Sequence, residues 1–229
     1  MKNNNIIIAI VFLVITSFFV YLNAGYKATD DVEEYLKGND TVIVKHENNG
    51  YYFDGPGDNN MLVFYPGAKV EYTSYAPLMY KIAEKGVDTF IVKMPYNLAF
   101  LNINAVSDII SSYEYDNWYI GGHSLGGVVA SMDARKNDIK GLILLGSYST
   151  KKIDCKALSI YGSNDGVLNL KKYKKNIKNL TNNKEVIIDG GNHAYFGNYG
   201  EQKGDKTSVI SRIEQQDKTV EEIYNFILQ

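Results

Sequence analysis

Apolar and polar residues alternate along this chain in short blocks. Residues 41–46 (TVIVKH) and 50–53 (GYYF) are apolar-rich runs split by Glu47-Asn48-Asn49, a turn composition, and predict an N-terminal hairpin. Past the breaker Gly55-Pro56-Gly57-Asp58 the rhythm changes. Residues 61–65 (MLVFY) form a short apolar run closed by Pro66-Gly67. Residues 72–85 then carry Tyr75, Leu78, Met79 and Ile82 at helical spacing, and residues 89–94 (TFIVKM) are apolar again. This strand, helix, strand unit recurs. A helix is expected near 105–113, a strand at 118–121, a helix from 125 to about 136, and strands at 141–145 and 158–161. A helix at 167–180, a strand at 185–188 and a C-terminal helix complete the chain. Read as a capping box, Thr219-Val-Glu-Glu222 starts that last helix at Thr219. Strands bounded by glycine and alternating with helices predict an α/β fold, a mostly parallel sheet with helices on both faces. No repeat, low-complexity tract or linker interrupts residues 41–229, so they are expected to form one domain.

The first 25 residues follow a different pattern. Lys2 precedes an uncharged run of 17 residues, from Ile6 to Leu22 (IIIAIVFLVITSFFVYL), and acidic residues begin at Asp30. As a helix the run spans about 26 Å, slightly less than a hydrocarbon core of about 30 Å. Residues 1–25 are therefore expected to be a signal or anchor transmembrane segment. Leu22-Asn23-Ala24 is a poor cleavage site, which favours an uncleaved anchor over a secreted chain. The positive N-terminus then stays in the cytoplasm and the domain lies outside it, tied to the membrane. Residues 26–40, polar and acidic, are expected to be a linker between anchor and domain.

Composition narrows the function classes. The 229 residues carry a formal net charge of −2, with 45% hydrophobic and 22% charged residues, which argues against a disordered chain and against a charge-driven nucleic-acid binder. A single cysteine, Cys155, allows no intrachain disulfide framework and no thiolate zinc cluster. No metal or organic cofactor is implied. The 22 Lys against 2 Arg, with 23 Asn, reflect AT-rich codons rather than a function. Lys171, Lys172, Lys174, Lys175 and Lys178 face away from Val167, Leu170, Tyr173, Ile177 and Leu180 at helical spacing and read as a solvated face.

Candidate chemistry gathers where strands end, because an open parallel sheet presents its site beyond their carboxyl ends. Gly122-His-Ser124-Leu-Gly126 lies between a predicted strand and a predicted helix, where a sharp turn exposes a nucleophile and leaves no room for flanking β-carbons. Ser124 needs a base, and the chain has three histidines. His46 lies in the hairpin, and His123 adjoins Ser124 and points away from it. His193, in Asp189-Gly-Gly-Asn-His193, remains. Its orienting carboxylate is Asp165, in Gly162-Ser-Asn-Asp165-Gly, with Asp189 and Asp154 as rivals. Ser124, Asp165 and His193 also stand in the chain order that belongs to this strand-turn-helix arrangement. For the oxyanion, the backbone N–H of Leu125 at the helix start is one expected donor. The other comes from the loop Tyr65-Pro-Gly-Ala68-Lys69, through Ala68 or Lys69. Lys69, Tyr96, Leu98 and Tyr195 are candidates to line a substrate pocket.

These residues resemble the α/β-hydrolase superfamily over essentially all of 41–229. The likeness rests on the Gly122-x-Ser124-x-Gly126 turn, the Gly162–Gly166 turn and Gly190-Gly-Asn-His193. Within that superfamily the chain looks like the small, lidless bacterial group related to dienelactone hydrolases, through Tyr65-Pro-Gly-Ala-Lys69, Val92-Lys-Met-Pro-Tyr-Asn-Leu98 and 190–200. It differs from dienelactone hydrolase itself in having serine rather than cysteine as nucleophile, and has Pro66-Gly67 where His-Gly is commoner. The resemblance implies the α/β-hydrolase fold, a serine nucleophile and hydrolysis of an acyl bond in a small molecule. Larger members insert a lid between the strands at 141–145 and 158–161; here only about a dozen residues separate them, so an open site without interfacial activation is expected. Two other readings use the same residues: an acyltransferase or lyase on this fold, and a catalytically silent cell-surface binding module acting through the lysine-rich helix.

Overall fold

The computed structural model describes residues 12, 13, 16 and 24–229. The expected leader, 1–25, lies outside them apart from 12, 13, 16, 24 and 25. Among the described residues no helix is long and apolar enough to cross a membrane.

Eight strands form one sheet in the order β1-β2-β4-β3-β5-β6-β7-β8. The strands are β1 (Ile43–Glu47), β2 (Gly50–Asp54), β3 (Asn60–Tyr65), β4 (Asp88–Val92), β5 (Asn117–His123), β6 (Gly141–Leu145), β7 (Ile153–Gly162) and β8 (Leu180–Ile188). β1 and β2 form the predicted hairpin and β2 joins β4 antiparallel, while β4, β3, β5, β6, β7 and β8 run parallel. The helices are α1 (Glu33–Lys37), α2 (Ala76–Glu84), α3 (Ala105–Ile110), α4 (Leu125–Asp133), α5 (Leu170–Asn176) and α6 (Arg212–Leu228).

Period-2 alternation explains why the strands read as unbroken apolar runs. Leu62 and Phe64 of β3 face one core with Ile143 and Leu145 of β6, where α2 and α6 pack. Met61, Val63 and Tyr65 face the other with Leu142 and Leu144, under α3 and α4. The connection from β3 to β4 runs one way and the next, to β5, crosses back past β3. The order reverses between β3 and β5, which is where such sheets open a crevice beyond their carboxyl ends. Between β6 and β7 lie only residues 146–152, and no lid is inserted.

Three expectations are corrected. The last helix starts seven residues earlier than Thr219: Ser211 is its cap, its hydroxyl accepting from the Glu214 N–H at 3.1 Å, and the Thr219 hydroxyl instead donates to the Gln215 carbonyl within the helix. The first turns are polar and hid the helix, because the buried Gln215 and Gln216 hydrogen-bond to neighbouring loops. The lysine-rich helix is shorter than 167–180. The Asp165 carboxylate takes the N–H groups of Val167 and Leu168, Asn169 caps the helix, and Leu170 is left 40% exposed rather than on an apolar stripe.

The third correction is residues 26–40, expected as a linker. They dock on the domain. Tyr26 pairs with Val70 in a parallel bridge, Val32 is buried, Tyr35 packs edge-on to Tyr80, and Asp31 accepts from the Asn198 amide at 2.7 Å. The polar composition concealed this because the segment is held by hydrogen bonds from residues 26–31 and by few apolar side chains.

Candidate active site

Ser124 ends β5 and caps α4 with φ 53° and ψ −123°, a left-handed backbone that non-glycine residues rarely adopt. The surroundings hold it there. Its N–H donates to the Leu145 carbonyl at 2.9 Å, and its carbonyl accepts from the Ser147 hydroxyl at 2.6 Å and from the Gly127 N–H at 3.1 Å. The flanking glycines are required by close approach: a β-carbon at Gly122 would stand 2.5 Å from the Gly126 carbonyl carbon, and one at Gly126 would stand 2.3 Å from the Pro66 carbonyl oxygen. The second contact also places α4 directly against the loop that follows β3.

Asp165, beyond β7, and His193, beyond β8, form a buried pair, with His193 Nδ1 2.8 Å from Asp165 Oδ2. The other carboxylate oxygen accepts from the N–H groups of Val167 and Leu168 at 2.9 and 2.7 Å, so the acid is fixed on both oxygens. The rivals stand elsewhere. Asp189 is exposed and bonded to the Ser163 hydroxyl, and Asp154 pairs with Lys152 on the surface. His193 Nε2 is buried without a hydrogen-bond partner among the described residues, the Ser124 hydroxyl included. Gly146 and Ser147 connect the two halves: Ser147 holds the Ser124 carbonyl, while a β-carbon at Gly146 would meet His193 Nδ1 at 2.8 Å.

Two candidate donors lie at the switch between β3 and β5. The Lys69 N–H is already donated to the Asn97 carbonyl at 2.7 Å, whereas the N–H groups of Ala68 and Leu125 make no backbone hydrogen bond among the described residues. The loop bearing Ala68 is held from beneath by Tyr75, whose hydroxyl accepts from the Gly67 N–H at 3.0 Å. The same hydroxyl shares a hydrogen bond with His123 Nδ1, 2.8 Å away. The His123 ring in turn lies 4.3 Å, centroid to centroid, from that of His193.

Burial holds His123 well below the usual imidazole range, and His193 pushes in the same direction. The unfolded chain therefore takes up a proton that the folded chain refuses. The stability tied to this group is complete above about pH 6.5 and is lost as pH falls below that. Melting temperature measured from about pH 7.5 to about pH 5 is expected to fall less steeply in His123→Asn than in the wild type.

Sequence reasoning missed the residues that brace His193. Asp205 accepts from the Gly166 N–H at 2.9 Å through one oxygen and from the Ala194 N–H at 2.8 Å through the other, tying the Asp165 loop to the His193 loop. Gln215 of α6 clamps the residue before His193 through both backbone groups of Asn192, at 2.9 and 2.8 Å. Neither has a local motif; a polar residue amid a helix start was the only available signal. Asp205→Asn removes the acceptor facing Ala194 and sets an amide N–H against an N–H. It is expected to lower kcat about tenfold and stability by about 1–3 kcal/mol, read from steady-state rates and urea midpoints.

The pocket candidates are divided. Lys69 is half-buried in the loop after β3, Tyr96 is exposed and Leu98 is buried. Tyr195 is engaged elsewhere: its ring lies 5.2 Å under the Arg212 guanidinium and lines a cavity of about 70 Å³ with Asn192, Asp205 and Thr207, which Ser124 does not line. His46 stacks on Tyr51 at the sheet edge. No group of three His, Cys, Asp or Glu side chains placed to hold a metal ion occurs among the described residues.

Comparison with known proteins bears on the fold and the family. A sequence model of the alpha/beta hydrolase family matches residues 61–217. No curated protein matches the chain. Among solved structures, Est1E from Butyrivibrio proteoclasticus superposes with a TM-score of 0.57 at 16% identity, covering 82% of this chain and 98% of that one. The alpha/beta hydrolase MGS-MChE2, from a lagoon-sediment metagenome, gives 0.60 at 16%, covering 80% and 97%. The dienelactone hydrolase of Anabaena variabilis gives 0.56 at 12%, covering 80% and 96%. At these identities the likeness is one of fold.

Proposed function

Given that the chain belongs to the alpha/beta hydrolase family, we propose that it is a serine hydrolase that cleaves a carboxylic ester or related acyl bond. The observation that carries this reading is the buried Asp165–His193 pair, with its outer nitrogen unpartnered, on the same sheet edge as a strained Ser124. Ser124 Oγ attacks the carbonyl carbon as His193 Nε2 takes its proton, and Asp165 holds the ring in the tautomer with its proton on Nδ1. The ester C–O bond then breaks and the alcohol leaves with that proton. Water, deprotonated by His193, releases the acid and restores the serine. The N–H groups of Leu125 and Ala68 face the oxyanion; Ala68 is preferred to Lys69 because the Lys69 N–H already has an acceptor in Asn97.

The apolar run 6–22 supports a further part of the reading, that the domain is held outside the cytoplasm by an N-terminal anchor. A fluorophosphonate probe tests the chemistry. The wild-type chain is expected to be labelled at Ser124, and Ser124→Ala to stay unlabelled; labelling that persists in that variant overturns the assignment.

A further inference from the structure

The segment docked at 26–40 removes the linker that would have held the domain away from its leader. Instead the chain enters the domain at the rim of the candidate site. Gly25 lies so close to the loop after β3 that a β-carbon there would stand 2.6 Å from the Lys69 carbonyl oxygen. The Tyr26 N–H donates to that same oxygen at 2.7 Å, and the Tyr26 carbonyl accepts from the Glu71 N–H at 2.9 Å. On its other side the Tyr26 ring is 5.6 Å from Tyr199, and its hydroxyl accepts from the Lys203 N–H at 3.1 Å. Residue 26 is thus wedged between the Ala68 loop and the segment that follows His193.

Length then sets a bound. From Leu22, the last residue of the apolar run, to Gly25 a fully extended chain reaches roughly 10 Å. If the run ends at the bilayer surface, this rim cannot stand farther from it than that. The adjoining loop has the surface such a position requires. Lys69, bonded to Asn97, leads directly to the loop after β4, which exposes Tyr96 (47%), Phe100 (53%), Leu101 (47%) and Ile103 (39%). Elsewhere on residues 24–229 no stretch of eight residues exposes more than two large apolar side chains. A cluster of this kind marks a contact surface rather than a solvated loop.

We propose that this rim rests on the bilayer entered by the leader, and that the substrate is an acyl ester resident in that membrane, reaching Ser124 from the lipid side. The substrate class rests on the serine-hydrolase reading above; the surface does not. The absence of a lid fits, because tethering supplies the proximity to substrate that a lid-gated enzyme gains by adsorbing.

The test uses the full-length chain in phosphatidylcholine vesicles containing brominated acyl chains. The single native tryptophan, Trp118, lies near the start of β5, at the opposite edge of the sheet, and serves as the internal control. In Phe100→Trp the added emission is expected to be quenched by the brominated lipid, whereas the wild-type emission is not. In the double variant Leu101→Asp/Ile103→Asp, turnover of a long-chain ester in the vesicles is expected to fall about tenfold relative to that of a soluble short-chain ester. Unquenched Phe100→Trp emission overturns the proposal. So does a mature chain that has lost residues 1–24, or cross-linking that places a second copy over Phe100. Quenching without Ser124-dependent turnover supports the surface and overturns the substrate along with the hydrolase reading. Turnover of the soluble ester without quenching overturns only the present inference.

Discussion

Ser124→Ala is expected to lower kcat toward a soluble ester by about 10⁴- to 10⁶-fold, with the melting temperature little changed. The size follows from the division of labour. On the proposed mechanism no acyl-enzyme forms without the hydroxyl, and only binding and the N–H groups of Leu125 and Ala68 remain to favour attack by water. The fold is little affected because the main chain at 124 is held by Leu145, Ser147 and Gly127 rather than by the hydroxyl. His193→Ala is expected to cost about as much, and the double variant no more than either single one, since serine and base act as a unit. Steady-state kinetics of the three variants check this. Costs that multiply in the double variant would mean that the two side chains act independently, and that the assignment of the base is wrong.

Gly146→Ala is expected to damage the same reaction without touching a reacting group. Gly146 has φ 53°, and a β-carbon there would lie 2.8 Å from His193 Nδ1, 3.0 Å from its Cε1 and 3.1 Å from Asp165 Oδ2. The backbone cannot easily yield, because the Gly146 N–H is bonded to the Ile160 carbonyl at 2.8 Å and the next residue holds the Ser124 carbonyl. The methyl group is therefore accommodated by opening the Asp165–His193 bond. Losing an oriented tautomer costs up to about 10⁴ in rate, so kcat is expected to fall about 10²- to 10³-fold. A left-handed alanine adds about 1–2 kcal/mol of strain, read as a lower urea midpoint at unchanged slope. Activity within about twofold of wild type would show that Gly146 does not set the spacing of the pair.

Legibility differed from element to element. β3 and β6 could be read because both faces are buried, so their apolar runs are unbroken and glycine ends them. The turn at Ser124 and the loops at Asp165 and His193 could be read because glycine is needed where backbones nearly touch. The start of α6 could not. Ser211 and Glu214 are a capping pair of the same type as Thr219 and Glu222, and only the position of the helix under the Asn192 and Asn198 loops selects between them. Asp165 is favoured over Asp189 and Asp154 by its place directly beyond a strand, but its contact with His193 arises only when β7 and β8 pair in parallel.

What the sequence by itself determined is whatever depends on neighbours a few residues apart: most strand and helix periods and the glycine-flanked turn at Ser124. Tertiary structure alone decided whatever joins residues distant along the chain. It engaged the Lys69 N–H with Asn97 and left that of Ala68 without a backbone acceptor among the described residues. It set Tyr75 beneath Gly67 and His123, and braced His193 with Asp205 and Gln215. It also turned an expected linker into a docked segment that begins beside the loop after β3. The physical reason is that a hydrogen bond formed across the fold leaves no periodic trace in the chain, since either partner has the same local composition whether or not it is bound.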